Sequence, residues 1–336
     1  MKVYAPGKII LSGEHAVVHG QPALAMAVNR YATVTVTREL LPQILFDLSD
    51  IAHHSRLSFH SLKNLKARIK RKYHKFIRGE YSIREVLQKP FELAQFALSV
   101  FADSLSITIP HGVKIHLKSN IPIGCGMGSS AATILSVMQA IAMHLKIPVS
   151  AETLFALALE AENMQHGYSS GLDLRVALQG GCLYGRGESW QPRAVPTLPM
   201  YLVNTGIPQS STGQCVTEVA SFFKSSSLGT AFADVTQAMD IGLQQRSGQV
   251  IRDTIQANHR LLIQIGVVPD RVQQFITAIE VLGGAAKICG AGAIFGDQAG
   301  VVLVLLEDDT VFFNLCQRYG YAYSPLMGES RGVHVV

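Results

Sequence analysis

The sequence is poor in the features that mark secreted, membrane-spanning or metal-scaffolded proteins. It has a single tryptophan, and its five cysteines are scattered and never in C-x-x-C spacing. That pattern excludes a disulfide framework and a cysteine-based zinc site, and it fits a reducing, cytoplasmic setting. Long apolar runs are missing as well. The longest, "GVVLVLL" at 300–306, is strand-sized, so no bilayer span is expected. The opening "MKVYAPGKIILSGEH" is broken by Pro6 and Gly7 where a signal peptide needs an unbroken apolar stretch, and it reads as the start of the mature fold. Charge is sparse at 16% of residues with a net of +5, which suits an anionic substrate but does not single one out. The 48% hydrophobic content describes an ordered globular protein, and 336 residues suffice for two domains.

Periodicity supplies the elements. Residues 27–37, "AVNRYATVTVT", alternate as a half-buried strand does. In "GVKIHLK" (112–118), Val113, Ile115 and Leu117 fall on one face and Lys114, His116 and Lys118 on the other. Ala131–Leu145 reads as a buried helix, and Ser150 caps a second helix that ends at His166-Gly167. The three prolines of "WQPRAVPTLP" (190–199) suggest a linker and a domain boundary near 187–196. Beyond it are expected a strand at 200–204, helices between 213 and 283, and a strand, glycine turn and strand over 285–309. The fold class is α+β. The run "KNLKARIKRKYHKFIR" (63–78) has no acid, and Leu62, Leu65, Ile69 and Phe76 recur at helical spacing. It reads as an amphipathic helix on a surface insertion, its basic face solvated or, less simply, turned to nucleic acid or membrane.

Glycine is spent conspicuously in one place. Residues 122–132 read "PIGCGMGSSAA", with glycines at 124, 126 and 128 ahead of a helical stretch. Bare N–H groups at a helix start suit a closely bound anion. A Walker A loop needs a lysine before Ser129 or Ser130, and there is none. A dinucleotide fingerprint needs glycine where Ser129 stands. Two readings stay open on these residues alone. One is a glycine-serine loop holding triphosphate oxygens with a serine hydroxyl on a metal; the other is an N-capping serine pair after a tight turn. Glu162 and His166 stand four apart but lack a third ligand, which excludes a zinc site, and no G-x-S-x-G frames a serine nucleophile.

Two further segments join this loop in collinear order: "APGKIILSGEHAVVHGQPALAMAV" (5–28) and "KICGAGAIFGD" (287–297). The loop resembles the central motif P-x-G-x-G-L-G-S-S-A-A of the GHMP kinase superfamily, with Met127 in the leucine place. The first segment resembles the opening of mevalonate kinases, and the last resembles their third, glycine-rich motif. Galactokinases carry G-E-H-x-D-Y and phosphomevalonate kinases usually G-E-Y, so "GEHAVVHGQPALA" favours the mevalonate kinases. The resemblance implies a two-domain GHMP kinase fold, with an N-terminal α/β domain over 1–187 and a C-terminal ferredoxin-like domain over 188–336. The active site is expected in the cleft between them. The implied reaction is ATP-dependent phosphorylation of (R)-mevalonate to 5-phosphomevalonate in isoprenoid biosynthesis, with Mg²⁺.

Residue by residue, the resemblance makes Asp173, in "HGYSSGLD", the base toward the acceptor hydroxyl and Lys8, in "APGK", the cation beside it. Pro122, Gly124, Gly126, Met127, Gly128, Ser129, Ser130 and Ala131 would carry the ATP phosphates, and Ser130 with Glu162 would hold Mg²⁺. Glu14, His15, Thr205, Ser211, Gly290 and Gly292 would face the acceptor. His15 is open to a buried structural role, and the "NTGIPQSSTGQ" segment (204–214) leaves the register open between Ser211 and Thr212. The third motif departs from a glycine run at Ala293-Ile294-Phe295, where Phe295 either alters the pocket or packs into the core. The alternatives are a kinase for another small hydroxylated acid or sugar, and a non-catalytic ligand-binding member of the fold. No nucleic-acid or membrane partner is expected, and the protein is read as a monomer or homodimer.

Overall fold

The computed structural model describes residues 1–107, 109–225, 227–307 and 310–336. The chain opens with a long antiparallel pair, β1 (Lys2–Ser12) and β2 (Ala23–Glu39). Their register shifts at Pro6/Gly7, where Pro6 faces Tyr31 and Gly7 faces Val28. Such a bulge bends a strand and re-aims its side chains. Here it brings the Lys8 amide to the Met127 carbonyl, 2.9 Å away.

Next come β3 (Ile44–Leu48), β4 (His53–Leu57), α1 (Phe59–Ile77), α2 (Glu92–Ser104) and β5 (Gly112–Ser119). The first half continues through α3 (Ser129–His144), α4 (Ala151–His166), α5 (Leu172–Gln179), β6 (Cys182–Arg186) and β7 (Ser189–Arg193). The strand order is β1-β2-β5-β3-β4, and only β3 and β5 run parallel. β2 is long enough to serve two neighbours, β6 along Ala23–Met26 and β5 along Ala32–Glu39. The alternation at 112–118 is realised: Val113, Ile115 and Leu117 are buried. They pack in one core with Phe96 and Phe101 of α2 and Ile134, Leu135 and Met138 of α3. That apolar grip holds the N-terminus of α3 against β1, which is where the site forms.

The second half contains β8 (Met200–Asn204), α6 (Thr212–Ser225), α7 (Leu228–Gln244), α8 (Gly248–Gln264) and α9 (Asp270–Val281). It continues with β9 (Ala285–Cys289), β10 (Val301–Leu305), α10 (Thr310–Tyr319), β11 (Ala322–Leu326) and the short β12 (His334–Val335). The sheet β11-β8-β10-β9 is antiparallel throughout, which is the 4-1-3-2 order of a ferredoxin-like unit. Ile288, Val302 and Val304 line its own core with Phe275 and Phe312.

One expectation is corrected. Residues 189–193 are not linker: β7 pairs with β6 in the first sheet, where Pro192 is tolerated because β7 is an edge strand. The C-terminal β12 also returns to that sheet, beside β1, so a cut at 187 does not follow sheet membership. The basic segment forms the expected amphipathic helix, with Leu65 and Phe76 also packed against the core. α1 buries Leu62 and Ile69, and Lys66, Arg68 and Lys70 pair with Asp103, Glu92 and Glu160 of the neighbouring helices. No helix among the described residues is long and apolar enough to cross a membrane. The five cysteines are buried and free.

Candidate active site

A cavity of about 1580 Å³ opens between the two halves. The glycine loop forms its floor. Gly124, Gly126 and Gly128 all have left-handed backbones, with φ of 74°, 81° and 69°. Two of them also meet neighbours that leave no space for a side chain. A Cβ on Gly126 would stand 2.6 Å from the Cys289 carbonyl oxygen, and one on Gly128 would stand 3.0 Å from Lys8 Cγ. The loop therefore packs bare backbone against β9 on one side and β1 on the other. Gly128 immediately precedes α3, whose first two residues, Ser129 and Ser130, line the cavity; the N–H groups of a helix's first turn have no partner within the helix.

Two polar clusters stand at this helix start. Lys8, buried on β1, places Nζ 3.1 Å from Asp173 Oδ1 and donates to the Gly126 carbonyl at 3.1 Å. Asp173 lies in the first turn of α5, which follows the α4 C-cap at Gly167. On α4, Glu162 is buried and accepts from Ser130 Oγ at 2.9 Å. His166, one turn on, has Nε2 3.3 Å from Ser130 Oγ and 3.4 Å from Glu162 Oε1. Burial pulls the His166 pKa down, but the Glu162 hydrogen bond and charge outweigh it, so the net direction is up. The other Glu162 oxygen, Oε2, is buried without a hydrogen-bond partner. An unpartnered carboxylate oxygen beside a hydroxyl is a donor set suited to a hard cation.

The residues expected to face the acceptor divide. His15, Ser211 and Gly290 line the cavity. His15 sits at φ 60° and binds the Ala291 carbonyl at 3.0 Å through Nε2, which assigns its proton there. Burial lowers its pKa to about 4, so the ring is neutral at neutral pH. Ser211 caps α6, accepting from the Gln214 amide at 3.2 Å. Thr205 and Gly292 are not among the residues that line the cavity. Thr205 ties two loops, donating to the Gly300 carbonyl and accepting from the Ala299 amide, each at 2.9 Å. Gly292 is glycine because a Cβ would stand 2.2 Å from the Val267 carbonyl oxygen. Ala131 is likewise buried behind the loop.

Glu14 reaches the cavity wall, but one of its oxygens is bound to Lys287 Nζ. Lys287 is 0% exposed and also donates to the carbonyls of Ile10 at 3.0 Å and Ile288 at 2.8 Å. All three ammonium protons are therefore used. Phe295, expected to change the pocket or the core, does neither: it is 47% exposed and away from the cavity, which Ile294 lines instead. Motif reasoning quoted His166 and Lys287 without assigning them these contacts, and it missed the last turn of α1. There Tyr73 Oη donates to the Gly167 carbonyl at 2.7 Å and Phe76 packs on Gly167.

Residues 92–181 match the family described as the GHMP kinases N terminal domain. The mevalonate kinase of Aeropyrum pernix is 29% identical over 320 residues, covering 91% of this chain and 89% of its own. The crystal structure of the Methanococcus jannaschii mevalonate kinase superposes with a TM-score of 0.80 at 21% identity, over 98% of each chain. The Lactococcus lactis galactokinase solved with galactose superposes at 0.78 and 14% identity, over all of this chain and 95% of its own. Over residues 92–181 the chain thus resembles the GHMP kinases, and its overall fold is shared with mevalonate kinase and galactokinase structures. Within the GHMP kinases the chain resembles the mevalonate kinases along nearly its whole length.

Proposed function

We propose that the protein is a mevalonate kinase, transferring the γ-phosphoryl group of ATP to the C5 hydroxyl of (R)-mevalonate. The observation that carries this reading is the Lys8–Asp173 pair standing in the same cavity as the glycine loop and the Ser130–Glu162 pair. Phosphoryl transfer needs positioning and charge stabilisation more than covalent chemistry. Asp173 takes the hydroxyl proton as the acceptor oxygen bonds to the γ-phosphorus and the bond to the bridging oxygen of ADP breaks. Lys8, 3.1 Å away, offsets the charge developing on the acceptor oxygen. The loop N–H groups and the α3 N-terminus face the nucleotide phosphates. Ser130 and Glu162 fit Mg²⁺, the buried unpartnered Oε2 supplying the negative oxygen such an ion takes. When bound, Mg²⁺ would neutralise phosphate charge.

The acceptor end is bounded by His15, Ser211 and Ile294. With Nε2 donating to Ala291, His15 leaves Nδ1 free to accept from a hydroxyl. The test is an ADP-release assay with Mg-ATP and mevalonate, phosphomevalonate, galactose or homoserine in parallel. Turnover is expected with mevalonate alone. Turnover with another acceptor instead would keep the chemistry and refute the substrate, whereas silence with all four would refute the kinase reading for these acceptors.

A further inference from the structure

The cavity must hold a polyphosphate, and its positive charge is largely spoken for. Three non-histidine cations line it: Lys8, Arg84 and Lys89. Lys8 is paired with Asp173, and Lys89 lies over the Phe91 ring, 5.6 Å from its centroid. Arg84 is different. Among the described residues its guanidinium has no carboxylate within ion-pair distance, and its one hydrogen bond goes to a neutral group, Gln214 Oε1, at 3.1 Å. Its neighbour Glu85 is used elsewhere, accepting from the Ser82 amide at 2.7 Å in a capping box.

Arg84 also lines the same cavity as Lys8, Ser130 and Asp173. It lies in the short turn Ile83–Glu85 between α1 and α2, and Ile83 packs over Gly167, where a Cβ would meet its Cδ1 at 3.7 Å. Gly167 follows His166, whose ring lies 3.3 Å from the Ser130 hydroxyl. The side chain then crosses the mouth of the cavity to the first turn of α6 in the other half. A guanidinium on a flexible stem, held only by an exposed amide, gives up little by turning to phosphate oxygens. Its planar fork matches them better than an ammonium does.

We propose that Arg84 is a further substrate-contacting residue, exchanging Gln214 for the terminal phosphate oxygens of the bound nucleoside triphosphate. The inference rests on the nucleotide site of the function proposed above, not on the identity of the acceptor. Its test is equilibrium binding of ATP and of ADP, without acceptor, to the wild type and to Arg84→Met, Arg84→Lys and Gln214→Ala, each first checked for an unchanged melting curve.

Arg84→Met is expected to weaken ATP binding about tenfold and ADP binding much less, the loss of one charge-assisted contact. Arg84→Lys should recover part of the difference, and Gln214→Ala should leave the ATP-to-ADP ratio unchanged or raised. An unchanged ratio in Arg84→Met overturns the proposal. So does a Gln214→Ala variant that reproduces the Arg84→Met loss, because Arg84 would then act as a bridge between the halves. Lack of turnover with mevalonate leaves these ratios readable, so the two readings fail separately.

Discussion

Single residues at this site are constrained from several directions at once. Gly126 must adopt φ 81° and must also admit the Cys289 carbonyl, so alanine there strains the backbone and collides with β9. Gly126→Ala should cost about 1–3 kcal/mol of stability from backbone strain alone, and a denaturant titration measures it. Buried histidines impose another constraint. Burial lowers the His259 pKa to about 3 and that of His15 to about 4, from 6.5. Below pH 6.5 the unfolded chain binds protons that the folded chain refuses. Unfolding free energy should therefore decline as pH falls from 6.5 toward 3, with no contribution from these groups above 7. His259→Gln should flatten that decline in denaturant titrations run across the range, and an unaltered slope would refute the assignment to His259.

At the scale of elements, legibility followed local chemistry. α4 was readable to its last residue because Ser150 accepts from the Thr153 amide at one end and Gly167 caps the other. β7 was not readable, since three prolines in ten residues look like a linker and only pairing with β6 makes Pro192 an edge residue. The glycine loop and the Lys8, Glu162 and Asp173 positions were visible as motif members. Thr205 and Gly292 stand outside the cavity lining, because membership of a motif does not distinguish the wall of a cavity from the backbone behind it. His166 and Lys287 lie inside quoted motifs but nothing in the sequence assigned them a contact, and Arg84 carries no signal that sets it apart from an ordinary surface residue; the fold supplies their partners. The helices holding that site depend on the shared core. Phe96→Ala, at a wholly buried position of α2, should cost about 3–5 kcal/mol and lower the melting temperature without altering acceptor KM in the fraction that stays folded.

For the whole molecule, the question is what joins the halves at the floor of the cleft. Lys287 of β9 answers it, crossing to Glu14 and to the Ile10 carbonyl of β1. Removing one member of a buried pair strands the other charge, whereas removing both does not. Lys287→Met should therefore cost about 3–5 kcal/mol, and adding Glu14→Gln should restore much of it. Two melting curves decide the matter, and a double variant as weak as the single one would contradict the pairing.

In the proposed reaction Asp173 takes the acceptor proton during transfer to mevalonate. The most direct measurement is single-turnover transfer of the γ-phosphoryl group from ATP to mevalonate by Asp173→Asn, with nucleotide affinity measured on the same preparation. A fall of about 10²–10⁴-fold in the transfer step, the range for a lost general base, is expected, with unchanged ATP binding. Transfer at the wild-type rate would contradict that role for Asp173.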